Sequence, residues 1–157
     1  MKKSKESNTL KMTFEESIFI EATPEVVWDF TQDYSKRPNW DSAVIKTEVI
    51  SEKPHRVVRV FVKGGTTTAF QYKLDRRPEK TSLQAIEMKS LFFASGGGSW
   101  VYKSRSNGTI WTQRNTLAFK NKFLTLLFKP LFSWQITKLT RQSMHEAKKQ
   151  IENELTK

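Results

Sequence analysis

SIFIEATPEVVWDFTQDYSKRPNW, residues 17–40, changes its hydrophobic period within one short span. In the segment from Thr13 to Ile20, Phe14, Ile18 and Ile20 share one parity, the pattern of a strand with two unlike faces. Thr23 then suits a helix N-cap, Pro24 the first helical position and Glu25 the positive end of the helix dipole. The helix is expected from about Pro24 to Asp33, with Val26, Val27 and Phe30 as its apolar stripe and Trp28 about a quarter turn away. Pro38 opposes further regular helix, so Tyr34 to Trp40 reads as a turn or a one-turn helix. Asp29 and Asp33 share a helix side at i, i+4. Acid–base work would also need a raised pKa and a pocket, which a surface helix does not supply.

From Ser42 the helical period gives way to strand-like segments. Ala43 to Ser51, Arg56 to Lys63, Thr67 to Arg76, Thr81 to Lys89, Ser99 to Ser104 and Thr109 to Phe119 are separated by SEKP, KGG, RRPEK, SGGG and SNG. The last is a hairpin signal, because Asn-Gly tolerates positive φ. Strands joined by short turns make an antiparallel meander, seven strands counting the first. The period changes again at the end: Phe132, Ile136, Leu139, Ser143, Ala147, Ile151 and Leu155 draw one face of a long helix from about Pro130 to Leu155. Lys138, Arg141, His145, Lys148 and Glu152 take its other side. The apolar face has to pack against the sheet, the only large apolar surface on offer.

With 157 residues, 37% hydrophobic and 27% charged, the chain fits one domain over residues 12–157 behind a flexible tail at 1–11. No apolar run approaches the roughly 18 residues of a membrane span, and the lysine-bearing start has no apolar core or cleavage site of a secretory signal. Cysteine is absent, which removes disulfides and thiolate chemistry; a cytoplasmic location fits best. The net charge is +11, and no carboxylate side chain occurs between Lys89 and His145. That positive field suits an anionic membrane surface, nucleic acid or an acidic ligand, and equally a solvated face that maintains solubility.

The order of strand, capped helix, Pro- and Trp-bearing short helix, six strands and long amphipathic helix resembles the helix-grip (SRPBCC) superfamily, which includes START lipid-transfer domains and polyketide cyclase/dehydratase-like proteins. The resemblance is carried by residues 17–40, by LDRRPEK at 74–80 and by SNGTIWT at 106–112. It implies an α+β fold: a seven-stranded curved antiparallel sheet wrapped around the C-terminal helix, two short helices between strands one and two, and a cavity between sheet and helix. The scaffold hosts binders, carriers and some enzymes, so it specifies fold better than function.

Alternation, with parity set on the most apolar residues, nominates the side chains facing that cavity. They are Phe70, Tyr72 and Leu74, then Trp100 and Tyr102, then Trp111, Gln113, Asn115 and Leu117, with small Ser143 and Ala147 opposite on the long helix. Lys73, Lys103 and Arg114 then point outward. Rings mixed with amides suit a small-molecule pocket, although aromatic residues on an inner strand face commonly form plain core. Inward amides need partners, which Tyr72, Tyr102, water or a ligand can supply. The segment from Lys120 to Trp134, KNKFLTLLFKPLFSW, reads either as a buried entry to the long helix or as an interfacial anchor. Burial is favoured, because large exposed apolar patches are uncommon.

His55 and His145 are not in metal-ligand spacing, and no G-x-S-x-G, P-loop or dinucleotide fingerprint occurs. No cofactor or metal is expected, and no catalytic residue is assigned. The leading expectation is binding, transport or sequestration of a hydrophobic small molecule or lipid. A cyclase or dehydratase activity is the alternative, followed by ribosome or RNA association through the basic surface.

Overall fold

In the computed structural model, which describes residues 10–157, the elements follow one another as expected. They are β1 (Lys11–Ile20), α1 (Pro24–Gln32), α2 (Arg37–Trp40), β2 (Val44–Ser51), β3 (Val57–Val62), β4 (Thr66–Arg76), β5 (Lys80–Lys89), β6 (Phe93–Arg105), β7 (Gly108–Phe119) and α3 (Lys122–Leu155). The seven strands form one antiparallel sheet in the order β1-β7-β6-β5-β4-β3-β2. Only the closing pair, β1 with β7, is distant in sequence. The fold is the helix grip. Of the expected tail at 1–11, residues 1–9 lie outside the described residues, and Lys11 already pairs with Ala118.

α3 lies chiefly along β1. Arg141 donates to the Glu16 carboxylate at 2.9 Å, and Lys148 Nζ donates to the Phe19 carbonyl at 2.8 Å. Ser143, Met144, Ala147 and Ile151 are buried beneath it, whereas Leu155, expected on the same stripe, is exposed. The stripe therefore holds until the helix runs past the sheet.

Several expectations need correction. Thr23 occupies the N-cap of α1, but its side chain makes no capping hydrogen bond. Val26 faces solvent and Trp28 is buried, because α1 packs on both the sheet and α3, and the Trp28 ring lies 5.0 Å from that of Tyr102. The SGGG segment is not a turn. It lies within β6, paired with β7 along its length, and the reversal falls earlier, at Ser90–Phe92. The β6–β7 turn is formed by Ser106 and Asn107 without positive φ; the glycine at 108 is demanded by contact, since a Cβ there would strike the Ile20 carbonyl and lie 2.6 Å from the Phe19 ring.

α3 also begins eight residues before the expected Pro130, counting from Lys122. Asn121 caps it by accepting from the Phe123 amide at 2.8 Å. Pro130 sits on the exposed side, and Phe128 and Phe132 pack against Phe92 on the other, so one lost backbone bond does not end the helix. The favoured burial of this segment is overturned: Phe123, Leu126, Leu127, Leu131 and Trp134 are all exposed.

Candidate functional site

The inner face of the sheet has two unlike regions, and the pairing register defines both. Residues that face each other across neighbouring strands share a side of the sheet. Gln113 pairs with Trp100, which pairs with Thr81. Two positions along, Asn115 pairs with Gly98, Gly98 with Leu83, and Leu83 with Tyr72.

The first region is filled. Trp40, Trp100 and Trp111 pack tilted or edge to face with ring centres 5.3–6.2 Å apart, and Tyr102 stacks on Trp111. Met144, Ala147 and Ile151 of α3 close the cluster. These rings occupy the space the sequence reading assigns to a cavity wall. Ala147, fully buried, packs within the same cluster as the indoles.

A polar network borders this cluster. Tyr72 Oη donates to Gln32 Oε1 at 2.7 Å, and Gln32 Nε2 donates to Tyr102 Oη at 2.9 Å. The Thr31 hydroxyl donates to the Val27 carbonyl, so Tyr102 donates to Thr31 at 2.8 Å. The Tyr34 and Tyr72 hydroxyls are 3.0 Å apart. Burial pushes the pKa of both Tyr72 and Tyr102 above the ordinary tyrosine value, so both remain hydrogen-bond donors. Arg37 lies over the rings of Tyr34, Trp40 and Trp100 and donates twice to Asp41 Oδ2. Burial disfavours its charge, but the Asp41 carboxylate together with the Tyr34 and Tyr72 side chains outweighs that, and the net shift is upward. Arg56 lies over Tyr34 and Tyr72 and donates to the Gln32 carbonyl at 3.0 Å.

Four buried donors in this region have no hydrogen-bond partner among the described residues: Trp40 Nε1, Trp111 Nε1, Thr81 Oγ1 and Arg56 Nε, the last lying 3.5 Å from the Glu52 carboxylate. An unsatisfied buried donor costs about 1–3 kcal/mol, so each is a place where an acceptor atom would be welcome.

The second region is more open. Phe70, Leu83, Asn115 and Leu117 are only half-buried there, around Gly96 and Gly98, which bring no side chain to the inner surface. Gly98 is demanded by close approach, because a Cβ on it would lie 2.6 Å from Asn115 Oδ1 and 2.8 Å from the Arg114 carbonyl. The β5–β6 ladder ends at Gln84 and Gly97, while β6 remains paired with β7 as far as Phe93, so the sheet divides at these glycines. On the outer face, the same place carries a shallow depression of about 400 Å³ lined by Lys11, Lys73, Arg114, Ser95, Ser99 and Thr116 among others.

Of the nominated residues, Trp100, Tyr102, Trp111 and Ala147 meet in one cluster, and Phe70 and Tyr72 join Val58 and Val60 in a second. Gln113 is buried beside Trp100, Asn115 faces the glycines, and Ser143 turns to Asp41, 3.3 Å from its Oδ1. Leu74 is the correction. A register shift after Tyr72 sets it opposite Ser82, in the row of Ser99 and the outer depression. Lys73, Lys103 and Arg114 are exposed. The amide that bridges Tyr72 and Tyr102 is Gln32 and not Gln113. Sequence reasoning misses Gln32, Arg37 and Asp41, because it reads α1 and α2 for packing alone; polar residues flanking Trp40 beside a proline are the available signal.

Asp29 and Asp33 take no part in this site. Asp29 forms a two-pronged pair with Arg77 at 2.7 Å, whose hydrogen bonds hold its carboxyl below the ordinary range, and Asp33 accepts from the Ser35 amide and hydroxyl.

Among known proteins, the family model described as "Polyketide cyclase / dehydrase and lipid transport" matches residues 11–152. No curated protein matches in sequence. Among solved structures, the Zhui aromatase/cyclase from Streptomyces sp. R1128 is similar at TM-score 0.79 and 13% identity, covering 93% of this chain and 96% of that one. A protein from Thermus thermophilus is similar at TM-score 0.77 and 16% identity, covering 89% of this chain and 97% of that one. A START superfamily protein from Mycobacterium smegmatis gives TM-score 0.65 and 11% identity over 90% of this chain and 95% of that one. At such identities the likeness is one of fold. Among the described residues no helix is long and apolar enough to cross a membrane.

Proposed function

We propose that the chain, which belongs to the polyketide cyclase / dehydrase and lipid transport family, binds a hydrophobic small molecule or lipid on the inner face of its sheet, against Phe70, Leu83, Asn115 and Leu117. The observation that carries this reading is the change along the inner face from packed indoles to half-buried Phe70, Leu83 and Leu117 around residues without side chains. An apolar ligand there would gain about 25 cal/mol for each Å² removed from water, less the cost of ordering it. Asn115 offers a donor and an acceptor to one polar group, and the unpartnered Thr81 hydroxyl lies two positions from Leu83 along β5.

Catalysis is the second reading, favoured by no specific group. The Tyr72 and Tyr102 hydroxyls are engaged and hold their protons, Asp29 is paired at the surface, and Arg37 is tied to Asp41. A cyclase or dehydratase would show turnover that is lost in Tyr102→Phe or Gln113→Ala. Native mass spectrometry of the freshly purified protein, beside its denatured mass, tests the binding reading. A retained apolar adduct that Leu117→Trp diminishes supports it. A clean mass, together with no uptake of fatty acid, quinone or aromatic polyketide probes, overturns it.

A further inference from the structure

The first half of α3 is apolar on both sides. Thr125, Phe128, Phe132 and Ile136 turn toward the sheet, and Phe128 and Phe132 pack on Phe92. On the opposite side Phe123, Leu126, Leu127, Leu131 and Trp134 recur at helical spacing, with exposures of 70%, 74%, 60%, 56% and 63%. Leu91, in the turn that leads into Phe92, is 81% exposed beside the start of the same helix. At about 100° per residue, Lys122 and Lys129 fall together along one edge of this stripe. Lys138 ends it, with its ammonium 5.1 Å from the Trp134 ring. No carboxylate side chain lies between Lys89 and His145 to neutralise them.

We infer that this face is a docking surface for an anionic lipid bilayer. Leucines and a phenylalanine flanked by lysines, with a tryptophan at the end of the stripe, match the apolar interior, charged headgroups and interface of a membrane lying parallel to the helix. The charge argues for this occupant over a second copy of the chain. Two copies apposed through the stripe would bring Lys122 and Lys129 of each toward the other with no acid in the segment to meet them. The inference stands on the surface of α3 and holds whether or not the inner face takes a ligand.

Flotation of the full chain with vesicles tests it, comparing phosphatidylcholine alone with phosphatidylcholine containing phosphatidylglycerol. Binding is expected on the anionic vesicles, weak on the neutral ones and reversed by raised salt. Each of Lys122→Gln and Lys129→Gln should weaken binding about fivefold. Leu126→Ser with Leu127→Ser should abolish it while the thermal midpoint stays near that of the parent, since both side chains are exposed. A blue shift of tryptophan emission on vesicle addition, lost in Trp134→Phe, would report insertion of the interfacial ring. Failure to float with anionic vesicles overturns the inference, as does binding that survives both sets of substitutions. Self-association that the leucine substitutions abolish, without vesicle binding, would assign the face to a second copy instead.

Discussion

Gln32 stands between Tyr72 and Tyr102, accepting from the first hydroxyl at 2.7 Å and donating to the second at 2.9 Å. This single side chain, at the last position of α1, joins two strands that are not neighbours in the sheet. It can do so only as an amide, because it must give and accept at once. Gln32→Leu keeps the volume and removes both bonds. Tyr72 retains Tyr34 and Tyr102 retains Thr31, so the expected loss is about 1–3 kcal/mol in urea unfolding, with a smaller loss for Gln32→Glu, which still accepts.

The two tyrosines make a pH prediction. Burial raises both pKa values in the folded chain above the 10.0 of an exposed tyrosine. The folded state therefore keeps protons that the unfolded state releases, so their contribution is complete below that value and is lost as pH climbs beyond it. Alkaline spectrophotometric titration should show Tyr72 and Tyr102 ionising only together with unfolding. Tyr72→Phe and Tyr102→Phe should each reduce the pH sensitivity of the thermal midpoint in the alkaline range.

Arg37 and Asp41 form the most enclosed ion pair among the described residues, at 3.0 Å with side-chain exposures of 15% and 13%. Breaking a buried pair leaves a charge without compensation. Asp41→Asn should destabilise by about 3 kcal/mol, the lower end of the usual range because both groups still touch solvent. Arg37→Met with Asp41→Asn together should recover part of that loss, and a double-mutant cycle in denaturant measures the coupling.

Gly98 gives a steric prediction. Its missing side chain makes room for Asn115 Oδ1 and the Arg114 carbonyl, and the carbonyl cannot swing away as a flexible chain end would. Gly98→Ala should lower stability by about 1–3 kcal/mol and displace Asn115, visible as a lower thermal midpoint and weaker ligand retention. Gly64→Ala, in the β3–β4 turn where φ is +88°, serves as a contrast, since its loss is conformational strain with nothing to collide with.

Much of this fold is readable from residues 17–40 and the final helical stripe, because hydrophobic period, proline and capping chemistry are local properties. The order of elements and the inward placement of Tyr72, Trp100, Tyr102 and Trp111 follow from period alone. Leu74 escapes that reasoning because a one-residue register shift is a property of two strands together and leaves no mark in either sequence. Gly96 to Gly98 read as punctuation in the sequence, although here glycine answers a close approach between strands. The apolar segment before Trp134 misleads for another reason: composition says a group is costly to expose and does not say whether the cost is met by the chain's own core. The Gln32 network cannot be assembled from sequence at all, since its members lie on three separate elements.

Pro130 has a consequence for how α3 comes apart. Without an amide hydrogen it leaves the Leu126 carbonyl outside the helical ladder, so the cooperative run of hydrogen bonds is interrupted there. The portion after it is bound to the sheet through Phe132 and Ile136 and into the tryptophan cluster through Met144, Ala147 and Ile151; the portion before it meets Phe92 through Phe128 and leaves Phe123, Leu126 and Leu127 exposed. α3 is therefore two folding units sharing one axis, of unequal local stability. The first can fray and reform while the second keeps the sheet closed.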